Sequence, residues 1–312
     1  MAIFVAIFKS EFSVIMKRAH QKIILNSCKP ELKSHVLVKK ITYFFLFVMT
    51  LATVQESKAQ KNEVGIMLGG STFYGDVGYT RAEQSLGGLD LAYGFLYRRN
   101  INNHFAWRLG ITNGNITGND ADADNDYIKQ RGLSFRSNIL EFSAMLEFNF
   151  FRYGVKNRDR SHTPFVFAGV SRFFFSPEAQ DSEGKWVSLQ SLGTEGQGTS
   201  LGGTKYSLNA WAIPFGLGYK VNLGDHFCLS AEWGWRYTTT DYLDDASTTY
   251  ADASILEQEN GSIAAALADP TGVGVTGKQR AEANNNDWFA FTGISLTYRL
   301  PDRNNKCPKL IY

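Results

Sequence analysis

The chain has 312 residues, 14% of them aromatic, and a formal net charge of +2. Residues 1–59 hold nine Lys/Arg and three Asp/Glu, leaving 23 and 27 for the rest, so about +6 sits on the first segment and −4 on the remainder. No basic domain for nucleic acid is left once that segment is set aside.

The first segment reads as a targeting sequence. Lys39 and Lys40 precede the apolar run 41–54, and Ser57-Lys58-Ala59 places small residues where a signal peptidase reads. Cleavage after Ala59 leaves a mature chain beginning at Gln60, and Met16, followed by Lys17 and Arg18, is an alternative start. The remaining 253 residues suffice for one large domain or two small ones.

From Glu63 onward the dominant signal is period-two alternation. Val64, Ile66 and Leu68 oppose Gly65, Met67 and Gly69 in a first strand, and a connection containing TFYGDVG follows. A second strand over 89–98 sets Leu91, Tyr93, Phe95 and Tyr97 outward against Ala92, Gly94 and Leu96. After the polar turn 99–103, Phe105, Trp107, Leu109 and Ile111 alternate with Ala106, Arg108 and Gly110. The stretch 112–132 is expected to be a polar connection. Asp122, Asp124 and Asp126 open it with calcium-loop spacing, but Tyr127 stands where that loop needs glycine and Leu133 where it needs Glu. It reads as a solvated acidic loop.

The longest strand is expected over 133–150. In LEFSAMLEFNF, Leu140, Phe142, Ala144, Leu146, Phe148 and Phe150 share one side, while Glu141, Ser143, Met145, Glu147 and Asn149 share the other. Eleven alternating residues are enough to cross a bilayer with tilt, apolar side to lipid and acids inward. A charged link over 153–163 leads to a strand over 164–175 whose phase is ambiguous, since Phe165, Phe167, Phe173 and Phe175 oppose Val166, Ala168, Val170 and Phe174.

The Gly-rich stretch 176–205 lacks a P-loop pattern and reads as a long loop. A strand over 206–221 carries Pro214, where the lost ladder donor predicts a bulge or local bend. After the turn 222–226, FCLSAEWGWRY places Glu232 and Arg236 inward, positioned to pair across strands with Glu141, Glu147 or Arg108. In the longest connection, 238–287, Ser262 is set to cap a two-turn helix over Ile263–Ala268 that Pro270 stops. A final strand starts at Trp288, and PDRNNKCPKLIY ends the chain.

The expected fold class is therefore all-β: an antiparallel transmembrane barrel of eight strands over residues 60–300, with a periplasmic tail at 301–312. Connections alternate long and short, as outer-membrane barrels pair long external loops with short periplasmic turns. Aromatic residues recur near strand ends (Tyr97, Tyr153, Tyr219, Tyr237, Trp288), where interfacial girdles belong. Eight strands leave an interior filled by side chains, not a channel, unless further strands lie in 176–205 or 238–287. Cys228, just past a periplasmic turn, and Cys307, on the periplasmic tail, are placed to form a disulfide in an oxidising compartment.

Several stretches carry a resemblance to a known family: EVGIMLGGSTFYGDVG (63–78), LSFRSNILEFSAMLEFNFF (133–151), WVSLQSLGTEGQG (186–198), IPFGLGYK (213–220), EWGWRYTTTDYLDDAS (232–247) and WFAFTGISLTYRL (288–300). Together they resemble a family of Bacteroidota outer-membrane barrels that includes the PorG component of the type IX secretion system. The resemblance implies a non-enzymatic role without a cofactor. It implies a place beside a periplasmic ring built from PorK-like and PorN-like proteins, in a system that exports folded proteins and supports gliding in some bacteria. By sidedness, Arg99, Asn100, Lys156, Arg158, Arg160, Asp225, Lys306, Lys309 and Tyr312 are the candidate periplasmic contacts. The other reading is an adhesion or ligand-binding barrel working through 176–205 and 238–287. An embedded enzyme has little support: the mature histidines, His104, His162 and His226, fall on turns or a strand start, and the hydroxyls and acid of 71–76 have no histidine beside them.

Overall fold

The computed structural model describes residues 62–78, 89–153 and 161–301. The expected targeting segment with its cleavage point, Lys156, Arg158 and Arg160 of the link 153–163, and Lys306, Cys307, Lys309 and Tyr312 of the expected tail lie outside the described residues.

Among the described residues nine strands form: β1 (Asn62–Tyr74), β2 (Asp90–Asn100), β3 (Phe105–Asn119), β4 (Ser134–Asn149), β5 (His162–Gln180), β6 (Trp186–Ser188), β7 (Asn209–Leu223), β8 (Phe227–Thr238) and β9 (Trp288–Arg299). Each barrel strand pairs antiparallel with its neighbours in sequence, and β1 pairs with β9, so the sheet closes on eight staves. β6 is not a stave; it only hairpins onto the far end of β5.

The register gives the barrel its shape. From Asn62 the paired residues run through Arg99, Trp107, Leu146, Ala168, Phe215, Trp235 and Ala290 back to β1 at Thr72. One circuit thus displaces the chain by ten residues, the distance from Asn62 to Thr72. With ~3.3 Å per residue and ~4.7 Å between strands, that shear over eight strands tilts them by about 40°. Strands of 11 to 19 residues are then longer than the bilayer requires, and the surplus projects on the side of the long loops.

Alternation decides what faces lipid. Val64, Ile66, Leu68, Phe95, Ile111, Phe142, Leu146, Val170, Trp211, Ile213, Leu217, Leu229, Ile294 and Leu296 are all exposed. Large apolar side chains on the outside of every stave, around a polar interior, have no stable arrangement in water. The protein is an integral outer-membrane β-barrel. The long loops face outward from the cell, and the short turns and both ends of the barrel face the periplasm.

The interior has two zones. Toward the periplasm it is charged, with Met145, Phe165 and Phe167 set among the ions. Toward the outside it is apolar: Phe73, Ile116, Phe135, Ile139, Phe173, Phe175, Phe289 and Phe291 make one core continuous with Leu133, Leu189, Leu243 and Ala246 of the loops. The ambiguity of the fifth strand is thereby resolved, because Phe165, Phe167, Phe173 and Phe175 point inward and Val166, Val170 and Phe174 outward. The charges of the lumen thus gather in its periplasmic part.

Other expectations shift at the element ends. β3 continues to Asn119, through residues expected to be loop, because Thr112, Gly114 and Ile116 keep pointing inward. β7 starts at Asn209, not Tyr206. Pro214 produces no register slip; the β5–β7 ladder simply lacks pairs between Ala168–Phe215 and Ser171–Ala212, where the proline has no N–H to give. The stretch 176–205 is not one long loop, since it carries the end of β5, β6 and a helical turn at Leu189–Leu192. The helix near Pro270 runs Ser262–Ala268 and is capped by Gly261, so Ser262 is its first residue and not its cap.

Candidate functional site

Two assemblies are candidates for function: an ion-pair lattice inside the barrel and a built cap over its external mouth.

Inward positions on seven staves bring Glu63, Glu141, Glu147 and Glu232 against Arg98, Arg108, Lys220, Arg236 and Arg299. Glu147 is the hub. Arg98 Nε lies 2.9 Å from it and Arg108 Nε 3.3 Å, and the Lys220 ammonium donates to it while also reaching Asn149 Oδ1 at 3.1 Å. Arg98 spans to Glu63 at 2.9 Å, and Arg299 approaches the same carboxylate at 3.1 Å. Higher up, Arg236 holds Glu141 at 2.9 Å, and Arg108 donates to Glu232. The expected cross-strand partners of Glu232 and Arg236 are therefore Arg108 and Glu141. Burial of so many ions requires mutual pairing, and aromatic faces add to it: Arg108 stands 4.9 Å over Phe167, Lys220 4.2 Å over Phe165, and Arg236 4.6 Å over Phe291. Four anions and five cations leave this lumen close to neutral and filled, without a wide aqueous path.

Room for those rings comes from glycine. A Cβ on Gly218 would sit 2.5 Å from Phe165 Cζ, and one on Gly216 2.6 Å from Phe167 Cζ. The β7 backbone thus forms the floor on which both phenylalanines lie.

The cap is assembled from all four long connections. Asp120, fully buried, takes 2.7 and 2.8 Å hydrogen bonds from Arg131, whose other donors reach the carbonyls of Asp76 and Arg280 at 2.7 Å each. Those contacts tie the second connection to the first and fourth. Arg280 pairs with Glu195 at 3.0 Å, and Glu195 accepts Ser247 N and Thr248 N, joining the third connection to the fourth. Tyr206 stacks on Tyr242 at 4.4 Å and donates to Asp245 at 2.5 Å; Thr194 donates to the same carboxylate. Helices Ala253–Asn260 and Ser262–Ala268 pack Leu256, Ala264 and Ala268 together, with Leu192 against them. Asp252 caps the first through Ser254 N and Ile255 N.

The acids of the cap are not all compensated. Asp244 accepts Asp76 N and Val77 N at 3.2 and 3.0 Å, and Asp287 accepts Leu243 N at 2.9 Å. Burial first, then the neighbouring acids, holds the carboxyls of Asp244 and Asp287 well above their usual range. Burial likewise pushes Asp241 up to about 7 and Asp245 up to about 6, and raises Asp76. The sequence signal was present in TFYGDVG and DYLDDAS, but nothing in either motif said that they meet.

The predicted site residues fare unevenly. Arg99 and Asn100 end β2 at the periplasmic rim, where Asn100 donates to Glu63 at 3.0 Å, and Asp225 is exposed on the β7–β8 turn. Cys228 is fully buried and faces the lumen, while its expected partner Cys307 lies outside the described residues. Ser71 spends its hydroxyl on the carbonyls of Asn115 and Asp90. His104, His162 and His226 each stack on an aromatic of the periplasmic girdle, namely Phe148, Tyr219 and Tyr298. Among the described residues, no group of three or more His, Cys, Asp or Glu is placed to hold a metal.

Solved structures with the same kind of barrel include the Yersinia pestis attachment invasion locus protein Ail, in complex with the heparin analogue sucrose octasulfate. It is 10% identical, with 78% of this chain and 99% of that chain covered and a TM-score of 0.37. The N-terminal β-barrel domain of Pseudomonas aeruginosa OprF is 11% identical (77% and 99% covered, TM-score 0.33). Neisserial surface protein A is 9% identical (77% and 97% covered, TM-score 0.38). No curated protein matches the chain in sequence. A family model does match, over residues 42–261, and the chain accordingly belongs to the family described as "Domain of unknown function (DUF6089)".

Proposed function

We propose that the protein is a non-enzymatic binding barrel that meets its partner through the external cap. The observation that carries this reading is the cap itself. Four connections are locked by buried ion pairs, Arg131–Asp120 and Arg280–Glu195, into a built surface over a filled barrel. Ordering that many loop residues costs conformational entropy, and a barrel serving only as a membrane plug has no need of it. Tyr127 and Val275, exposed on neighbouring segments of the cap, offer apolar contact area.

A second reading, membership of the type IX secretion machinery beside PorK-like and PorN-like ring proteins, is supported by the resemblance of the motifs quoted above. Its surface is the opposite one, the periplasmic rim with Arg99, Asn100 and Asp225. One experiment separates the two. A photocrosslinking amino acid is placed at Tyr127 in one variant and at Asp225 in another, in the native outer membrane. Adducts from Tyr127 alone support the cap reading. Adducts of periplasmic ring proteins from Asp225 alone replace it with the secretion reading.

A further inference from the structure

The contact between the first and fourth connections places buried carboxylates together without cations to balance them. Asp244 reaches across to the backbone of Asp76 and Val77. Asp287, 1% exposed, is wedged between Leu243 and Gly75; its Oδ2 accepts Leu243 N, and a Cβ on Gly75 would collide with its Oδ1. That Oδ1 is buried and has no hydrogen-bond partner, and neither has Oδ1 of Asp241, itself 8% exposed. Among the described residues, none of Asp76, Asp241, Asp244 and Asp287 has a cation within ion-pair distance. The two arginines facing the cluster are committed elsewhere, Arg131 to Asp120 and Arg280 to Glu195. The other ionisable groups around it, Glu195, Glu282, Asp245 and Tyr242, add no positive charge.

An ionised carboxylate can only accept hydrogen bonds, so the two orphan oxygens have no donor to meet while all four acids are charged. A proton on either one turns it into a donor and removes a buried charge in the same step. We propose that this junction is a proton-responsive clasp, which holds the cap closed over the barrel when it is protonated and loosens as the proton leaves. The proton comes from the external medium, the side on which all four acids lie. The elevated carboxyls of Asp241, Asp244 and Asp287 agree in direction. A group whose folded pKa is raised contributes most at low pH and loses that contribution as pH climbs through the folded value. For Asp241, that loss falls between about 4 and about 7.

A divalent cation would neutralise the cluster as well, but the carboxylates do not converge as a three-ligand set. Histidine is no competitor for the effect, because His104, His162 and His226 lie at the opposite, periplasmic end.

The test is amide hydrogen exchange on the full mature chain in lipid nanodiscs at pH 5.5 and 8.5, with intrinsic rates divided out to give protection factors. Protection of 75–78 and 241–248 is expected to fall at least tenfold between the two conditions, while the barrel strands hold. Asp287→Asn keeps an acceptor for Leu243 N and is expected to reduce the change to under threefold; Asp241→Asn does the same without touching that bond. Asp244 is not substituted, because both its oxygens already accept backbone N–H groups. Wild-type protection constant within threefold would overturn the proposal, as would an unaltered pH response in both variants. Restoration of protection at pH 8.5 by millimolar calcium chloride would overturn it in favour of a cation site.

Discussion

Glu147 is the only carboxylate paired with Lys220 among the described residues, whereas its other two cations each have a second partner. Arg98 also holds Glu63, and Arg108 also holds Glu232. Replacing Glu147 by Gln therefore leaves one cation, Lys220, without an anion, with only Asn149 Oδ1 and the Phe165 ring to meet its ammonium. An uncompensated buried charge typically costs about 3–5 kcal/mol. Glu147→Gln is expected to lower the unfolding free energy by that order in urea titrations from lipid vesicles. Adding Lys220→Met should return on the order of half of the loss, because the stranded charge goes with it. Equal stabilities for the single and double variants would show that Lys220 does not depend on Glu147.

Gly218 tests the packing of the same zone. A side chain there meets the Phe165 ring on one side and Ala231 O, 2.6 Å from the added Cβ, on the other. The carbonyl belongs to the barrel ladder and cannot move aside. Gly218→Val is expected to destabilise by about 1–3 kcal/mol or more, the usual range for overpacking. The gel-mobility shift that separates folded from unfolded barrels should then be lost at a lower temperature. Gly224, on the turn with no atom near its missing Cβ, has only its left-handed φ of 71° to lose. Gly224→Ala should cost no more than about 1 kcal/mol.

How much of this was legible in the residues follows from where alternation is strong. The lipid face of β4 could be read because Glu141 and Glu147 contrast sharply with Phe142 and Leu146, and the same holds for Arg236 against Trp235 on β8. On β5 both faces are apolar, since inward Phe173 and Phe175 serve a core shared with the cap while outward Val170 and Phe174 serve lipid. Hydropathy carries no phase there. β3 outran its predicted end for a related reason. Above the lipid belt, outward Asn113 and Asn115 bond Asn138 of the next strand, so polar residues continue a ladder that composition alone reads as loop. The cap was the least legible part. Asp120 and Arg131 are eleven residues apart in a stretch that looks solvated, and only tertiary contact with the carbonyls of Asp76 and Arg280 makes their pairing a buried one.

The filled lumen predicts an electrical result. In planar bilayers the wild-type chain is expected to show no discrete channel steps, since Glu147 and its cations close the periplasmic half and Phe173, Phe289 and Phe291 close the rest. Replacing 245–284 by a short turn removes much of the cap but leaves the ion lattice, so the truncated chain should remain silent. Steady conductance steps in the wild type would rule out the packed interior. Steps in the truncated chain alone would move the seal from the lattice to the cap.

Asp245 carries the last prediction, and its backbone matters as much as its charge. It has a left-handed φ of 64°, a conformation that Asn tolerates well, and its fully buried carboxylate accepts the hydroxyls of Thr194 and Tyr206. Asn can accept one hydroxyl and donate to the other, so Asp245→Asn preserves the latch between the third and fourth connections. Burial raises the Asp245 carboxyl to about 6, against the opposing pull of Arg280 and the two hydroxyls. The folded form therefore binds the proton more tightly than the unfolded form, and stability falls as pH rises from about 4 through about 6. Above that window the full penalty stands, on the order of 2–3 kcal/mol. Asp245→Asn should match the wild type near pH 4 and exceed it by that order at pH 8, measured by urea unfolding at both values. A variant less stable than the wild type at pH 8 would mean that the ionised carboxylate, through Arg280, strengthens the cap instead of straining it.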